Sequence, residues 1–346
     1  MKRAIQTIFA VTLVAGLGSI AVAVNIETVP VGNPGNAVDD TGYGAVNYAY
    51  NIGKYEVTAG QYTEFLNAVA ARDPYGLYNS NMDSNSRGCQ ITQHGTSGAY
   101  TYDFSGRPSG TEANWSNRPV NYVSWYDALR FSNWLTNGQE SGDTETGSYT
   151  ITGSGPTWTV DIPNASQRGD WATAGEFHVM LTSENEWYKA AYYDLGLNAG
   201  AGGYYDYPTS NESVPSYAPN LRGNNATFYD QGYTIGGPYY RTEVGEHENS
   251  DSPYGTFDQG GNVWEWNEAI VAGSYRGLRG GSFTCYDRGL GRSYLRASYR
   301  YYGIRPSSEY YGFGFRVSQV PEPATLSLLT LGGLAMLRWR RRGACR

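Results

Sequence analysis

The chain has 346 residues, 25 of them basic and 32 acidic, for a formal net charge of −7. The interior holds no basic patch or nucleic-acid motif, which excludes nucleic acid as a partner. With 45 glycines and 32 tyrosines but few predicted helices, the composition points to a loop-rich fold with an aromatic core and not to a helical bundle.

At the N-terminus, Lys2 and Arg3 precede an uncharged apolar run from Ala4 to about Ala23 that closes on Ala21-Val22-Ala23. This reads as a signal peptide, residues 1–23, cleaved to leave Val24 as the new first residue. Residues 24–319 contain no Pro/Ser-rich linker and no long charge run, so one domain is expected. Three helices are predicted within it. Thr58 and Gln61 form a capping pair, and Tyr62, Phe65, Leu66 and Val69 follow on one stripe. Ser124 with Asp127 starts the second, which turns Ala128, Phe131, Trp134 and Leu135 inward and stops near Gly138. Ser183 with Glu186 starts the third, burying Trp187 and Ala190 or Ala191.

The C-terminal segment, residues 320–346, runs Val320-Pro321-Glu322-Pro323, then Ala324 to Leu337 without a charge, then Arg338, Arg340, Arg341 and Arg342. As a helix the apolar part covers about 21 Å against a hydrocarbon core of about 30 Å, too short for a permanent span. The order resembles the PEP-CTERM sorting signal, whose members are recognised by an exosortase, clipped near the PEP motif and released to the cell surface. The resemblance implies export, exosortase as a processing partner and only transient membrane contact, with the arginines on the cytoplasmic side. The two ends hold seven of the basic residues, so the remainder, counting the PEP glutamate, carries 18 basic against 32 acidic residues, a net of −14. Such a surface suits divalent cations.

Six blocks follow in order: IGKYEVTAGQYTEFLNAVA (Ile52 to Ala70), RPVNYVSWYDALRFSNWL (Arg118 to Leu135), LTSENEWYKAA (Leu181 to Ala191), YGTFDQGGNVWEW (Tyr254 to Trp266), LRGGSFTC (Leu278 to Cys285) and GFGFRV (Gly312 to Val317). Together they are similar to the formylglycine-generating enzyme, or sulfatase-modifying factor, family over roughly residues 46 to 318. The resemblance implies an irregular α+β domain, loop-rich, C-type-lectin-like, low in regular secondary structure and holding calcium.

Calcium takes six to eight oxygen ligands, which a glycine-bent loop supplies from carboxylates and carbonyls. By the family pattern the ligands are Asp258, Gly261, Val263 and Glu265; the alternative is that Glu265 only accepts backbone hydrogen bonds. A second family site would draw on Asn220, Leu221 and Asp230, although Asn224 and Asn225 there also suit turns.

Family enzymes oxidise a cysteine of a sulfatase with Cu(I) held by two cysteines five positions apart. Here the first position is Cys285, with Ser282 and Trp264 lining the site, but the second is Leu290. Cu(I) prefers two thiolates, so the loss of one argues against this cofactor. Cys89 is the other cysteine left once Cys345 goes with the tail, and in an oxidising compartment a Cys89–Cys285 disulfide is expected ahead of a copper site or two free thiols. His94, His178 and His247 lack metal-ligand spacing. Arg276, Arg279, Arg296, Arg300 and Arg316 are expected to pair with acidic loops.

Two functions follow. The first is a non-catalytic, calcium-stabilised surface domain that binds exopolysaccharide or another envelope protein, suggested by the lost cysteine, the sorting tail and the tyrosine content. The second is a copper-dependent oxidase acting through Cys285 on an exported target.

Overall fold

The computed structural model describes residues 23–320 apart from Ser109, Glu140 and residues 155–156, 220–221 and 286–293. Residues 1–22, the tail beyond Val320, Asn220, Leu221 and Leu290 therefore lie outside the described residues.

Two four-stranded sheets frame the domain. The first orders Thr28–Val31, Tyr50–Gly53, Val317–Val320 and His178–Leu181, all antiparallel. The second orders Tyr301–Ile304, Tyr275–Arg279, Trp264–Val271 and Phe313–Phe315, of which only the last pair is parallel. The chain crosses from one sheet to the other inside GFGFRV, where Arg316 is the single residue between the strands Phe313–Phe315 and Val317–Val320. Long loops and short elements make up much of the remainder, in keeping with the expected α+β, loop-rich fold.

All three predicted helices form, each with its capping pair: Ala59–Val69 behind Thr58, Trp125–Thr136 behind Ser124, and Glu184–Tyr192 behind Ser183. Each pair satisfies backbone N–H groups that have no partner within the helix. The Trp125–Thr136 helix is buried almost all round, because it packs on strands of both sheets, His178–Leu181 and Trp264–Val271. Tyr62, Phe65, Phe131, Trp134 and Phe315 meet with ring centroids 5.3 to 6.5 Å apart, which is the aromatic core the composition implied. A further helix, Ala165–Ala174, is capped by Asn164 and Gln167. The expected new N-terminus is also docked: Gln139 receives the Val24 N–H at 2.6 Å and donates to the Val24 carbonyl at 2.8 Å.

The Ala165–Ala174 helix buries one side chain, Arg168, between two carboxylates. Arg168 meets Glu186 at 2.7 Å and also pairs with Glu268. Glu186 accepts further bonds from Tyr48 at 2.8 Å, the Ser183 N–H at 2.8 Å and Ser318 at 3.0 Å, while Tyr149 donates to Glu268. One guanidinium thus faces two buried acids, and hydroxyls solvate the charge it leaves uncompensated.

Removing that guanidinium leaves both acids uncompensated, so Arg168→Met is expected to cost roughly 3–5 kcal/mol in urea unfolding. Burial, opposed by Arg168, lifts Glu268 from its ordinary 4.5 to about 7. The folded protein therefore keeps a proton that the unfolded chain releases, and stability from this group falls as pH rises between those values and is flat above them. The loss is on the order of 3 kcal/mol. Glu268→Gln should shrink the drop in unfolding free energy between pH 5 and pH 8; an unchanged drop would assign it to other groups.

Candidate functional site

The LRGGSFTC block runs off the strand Tyr275–Arg279 into a turn through Gly280 and Gly281, whose φ values are +94° and +81°. A Cβ on Gly280 would lie 2.5 Å from the Gln259 carbonyl, so this turn requires glycine. The turn folds Cys285 back onto Ser282: the Ser282 N–H donates to Sγ at 3.0 Å, and the Ser282 hydroxyl lies 3.4 Å from Sγ. Burial pushes the Cys285 thiol up to about 11, against the opposing hydrogen bonds from Ser282 and Trp264. The group is a protonated thiol at neutral pH.

Cys285 forms part of the wall of a cavity of about 170 Å³, together with Trp264, Ser282, Thr284, Tyr294, Tyr301, Tyr310, Gly312 and Phe313. The structure thus places Cys285, Ser282 and Trp264 along one cavity. It adds a ring of aromatics that sequence reasoning missed. Trp264 meets Tyr294, Tyr299 and Tyr301 at 5.7, 6.0 and 5.1 Å, and Tyr310 lies 5.7 Å from Phe313 with 48% of its surface exposed. The signal for them was the dense run of tyrosines between Tyr294 and Tyr311. A larger depression, about 480 Å³, lies elsewhere, between the Val24–Glu27 segment and the start of the Ala59–Val69 helix, and offers neither thiol nor aromatic wall beyond Tyr55.

The expected Cys89–Cys285 disulfide is not formed; both cysteines are free and buried. Each sulfur has its own surroundings: Cys89 lies 3.8 Å from the Asn121 carbonyl, while Cys285 is held by the Ser282 turn. Leu290 falls outside the described residues.

In the DQGGNVWEW loop, Glu265 is engaged from two sides. Arg316 Nε and Nη2 take its two oxygens at 2.8 Å each, and the Trp187 indole donates at 2.7 Å. Asp258 accepts from the Gly245 N–H at 2.6 Å, and the Val263 N–H points to Glu56 at 3.2 Å. Glu56, buried beside this loop, was not singled out from the sequence. Burial first, then the charges of Asp258 and Glu265, hold its carboxyl well above the usual range. Asn262 donates to Glu56 at 3.2 Å, and its own Oδ1 is buried without a hydrogen-bond partner. Carboxylates in excess over one arginine, with an orphaned amide oxygen beside them, are a donor set that fits a hard cation in kind. Among the described residues no three His, Cys, Asp or Glu side chains already converge as a cage. Asp230 closes a turn through its N–H to the Gly232 carbonyl at 3.0 Å, and its expected companions Asn220 and Leu221 lie outside the described residues.

The histidines are structural or superficial: His94 pairs with Asp103, His178 stacks on Trp171 at 3.8 Å and His247 contacts Thr227 at 3.0 Å. The arginines largely behave as expected. Arg279 and Arg300 share Glu184, Arg296 meets Asp206 and Arg316 meets Glu265; Arg276 instead stacks over Trp125 at 4.1 Å.

Residues 39–319 match the sulfatase-modifying factor enzyme 1-like domain, and residues 319–342 match the PEP-CTERM protein-sorting motif. Among solved structures, Treponema denticola variable protein 1 is 20% identical with a TM-score of 0.48, covering 85% of this chain and 95% of its own. CarF is 18% identical with a TM-score of 0.48, covering 86% and 98%, and PvdO from Pseudomonas aeruginosa is 16% identical with a TM-score of 0.42, covering 84% and 91%. No curated protein matches the chain. Among the described residues no helix is long and apolar enough to cross a membrane, and the sorting motif marks the protein for exosortase processing and export to the cell surface or beyond. With its domain matched almost end to end and its tail matched separately, this chain belongs to the sulfatase-modifying factor enzyme 1-like family and is exported under a PEP-CTERM motif.

Proposed function

We propose that the domain is a non-catalytic, calcium-stabilised module that binds an extracellular polysaccharide or a glycosylated envelope partner at the cell surface. The observation that carries this reading is the cavity itself: an aromatic-walled hollow of about 170 Å³ whose one thiol is protonated. Trp264, Tyr294, Tyr301, Tyr310 and Phe313 offer ring faces and edges suited to the C–H faces of a sugar, and Ser282 and Thr284 offer hydroxyls. The family includes oxidoreductase-type enzymes, but copper chemistry needs two thiolates, and a thiol with a pKa near 11 is a poor ligand unless a metal displaces its proton.

Binding of the processed exported protein to its native exopolysaccharide, or to a glycan array, tests the reading. Tyr310→Ala should weaken retention about tenfold, the loss of one stacked aromatic face, with the protein still folded by circular dichroism because about half of Tyr310 is exposed. No retention by any extracellular polymer would sink the proposal.

The second reading, a Cu(I)-dependent oxidase, is favoured by one observation, the retention of Ser282 and Trp264 around Cys285. Cu(I) titration separates the two. Stoichiometric binding that disappears in Cys285→Ala, with oxidation of a cysteine peptide, would replace the first reading with the second.

Calcium is part of the proposal. Asp258 and Glu265, with the carbonyls of Gly261 and Val263, would hold it, and the ion would supply the positive charge that three carboxylates around a single arginine call for. Saturating calcium should raise the melting temperature by roughly 5 °C over the chelated protein, as ligand linkage gives about 2.7 kcal/mol at a hundredfold excess over Kd. Asp258→Asn should reduce that shift, and a melting temperature indifferent to calcium and chelator would remove the ion from the account.

A further inference from the structure

Arg87 is placed unlike the arginines of the ion-pair clusters. Its guanidinium lies over the rings of Tyr311 at 5.1 Å and Tyr240 at 5.7 Å, and donates to the Tyr233 hydroxyl at 3.0 Å. Among the described residues no carboxylate forms an ion pair with it, although the side chain is only half-buried. Two more arginines stand close by. Arg241, fully buried, donates to the carbonyls of Arg87 at 2.6 Å and Gly88 at 3.0 Å, and its Nε has no partner. Arg118 stacks over Tyr239 at 4.2 Å, with its nearest acid, Glu243, at 3.8 Å. Arg118 is thus already paired with Glu243, whereas Arg87 is the most exposed guanidinium of the three and meets no described carboxylate.

The patch is continuous with the aromatic cavity. Tyr311 lies 4.0 Å from Tyr310, the exposed ring at the cavity edge, and Asn121 ties the two segments together by donating to the carbonyls of both Arg87 and Tyr311 at 2.8 and 2.6 Å. Phe283 sits 6.0 Å from Tyr311 and 6.2 Å from Tyr240, which in turn lies 5.2 Å from Tyr233. A row of rings thus leads from the cavity past Arg87.

We propose that Arg87, held between Tyr240 and Tyr311, is a carboxylate-recognition site that makes this aromatic row selective for uronate-containing polysaccharide. The inference rests on the glycan-binding reading above and adds the chemistry of the sugar. A hexuronate carries its carboxylate at the ring edge, so one residue lays its C–H face on a tyrosine while the carboxylate reaches a neighbouring guanidinium. The flanking rings fix the guanidinium plane, and the N–H groups not committed to Tyr233 are left to donate to a planar anion. The acidic balance of the rest of the domain does not oppose this at contact range, because at physiological salt charges are screened beyond about 8 Å.

The test compares a galacturonate tetramer with its fully methyl-esterified form, which keeps the sugar faces and removes the charge, against the processed exported protein by calorimetry. The acid form should bind about tenfold tighter than the ester. Arg87→Gln should abolish that difference, the acid and ester forms then binding that variant with equal affinity. Arg87→Lys, which keeps the charge but not the planar fork, should restore only part of it. Equal affinity for acid and ester in the unmodified protein overturns the inference but leaves glycan binding standing, as does an Arg87→Gln protein that still prefers the acid. Failure of both forms to bind, together with failure of every neutral polymer, overturns the glycan-binding reading as well.

Discussion

The fold depends on the pairing of Arg316 with Glu265. Arg316 is the one residue between two strands that belong to different sheets, and its side chain is completely buried. With the two Glu265 oxygens, the Gly53 carbonyl and the Phe257 carbonyl it joins the hinge of GFGFRV, the centre of the WEW strand, the strand near the N-terminus and the loop before DQGG. A planar, always-charged fork is the side chain that can hold four such directions at once. Glu265 also takes the Trp187 indole, so the third predicted helix is tied to the same point.

That helix explains why LTSENEW is so dense in charge. Its first turn carries Glu184, shared by Arg279 and Arg300, and Glu186, shared by the cap and by Arg168, with Trp187 one residue on. Buried ion pairs of this kind contribute little net stability, since desolvation offsets most of the attraction. What they do here is fix register: each carboxylate accepts several donors from segments far apart in the chain, and a misplaced loop would strand a buried charge. An irregular domain with little sheet and helix gains definition from such constraints, where longer elements would supply it through backbone ladders.

Local signals were legible and distant ones were not. Thr58 with Gln61, Ser124 with Asp127 and Ser183 with Glu186 announced their helices because a cap needs only neighbours. Asn164 and Gln167 carry the same spacing, yet their helix escaped notice, since it buries an arginine instead of an apolar stripe. The position of Cys285 beside Ser282 and Trp264 was readable from the family blocks. The aromatic walls were not, because Tyr294, Tyr301 and Phe313 meet Trp264 only after strands pair across the second sheet. The disulfide expectation came from counting cysteines, which carries no information on where Cys89 points. Glu56 needed the folded neighbours Asp258, Asn262 and Val263 before it meant anything.

The strand Val317–Val320 lies inside the first sheet, paired on one side with Tyr50–Gly53 and on the other with His178–Leu181, and Val320 itself still pairs with His178. The sorting motif begins at residue 319. The first residue of the motif, Gln319, is therefore gripped by a partner on each flank, Asn51 and Val179, so the address label starts inside the sheet and shares its backbone ladder with the domain.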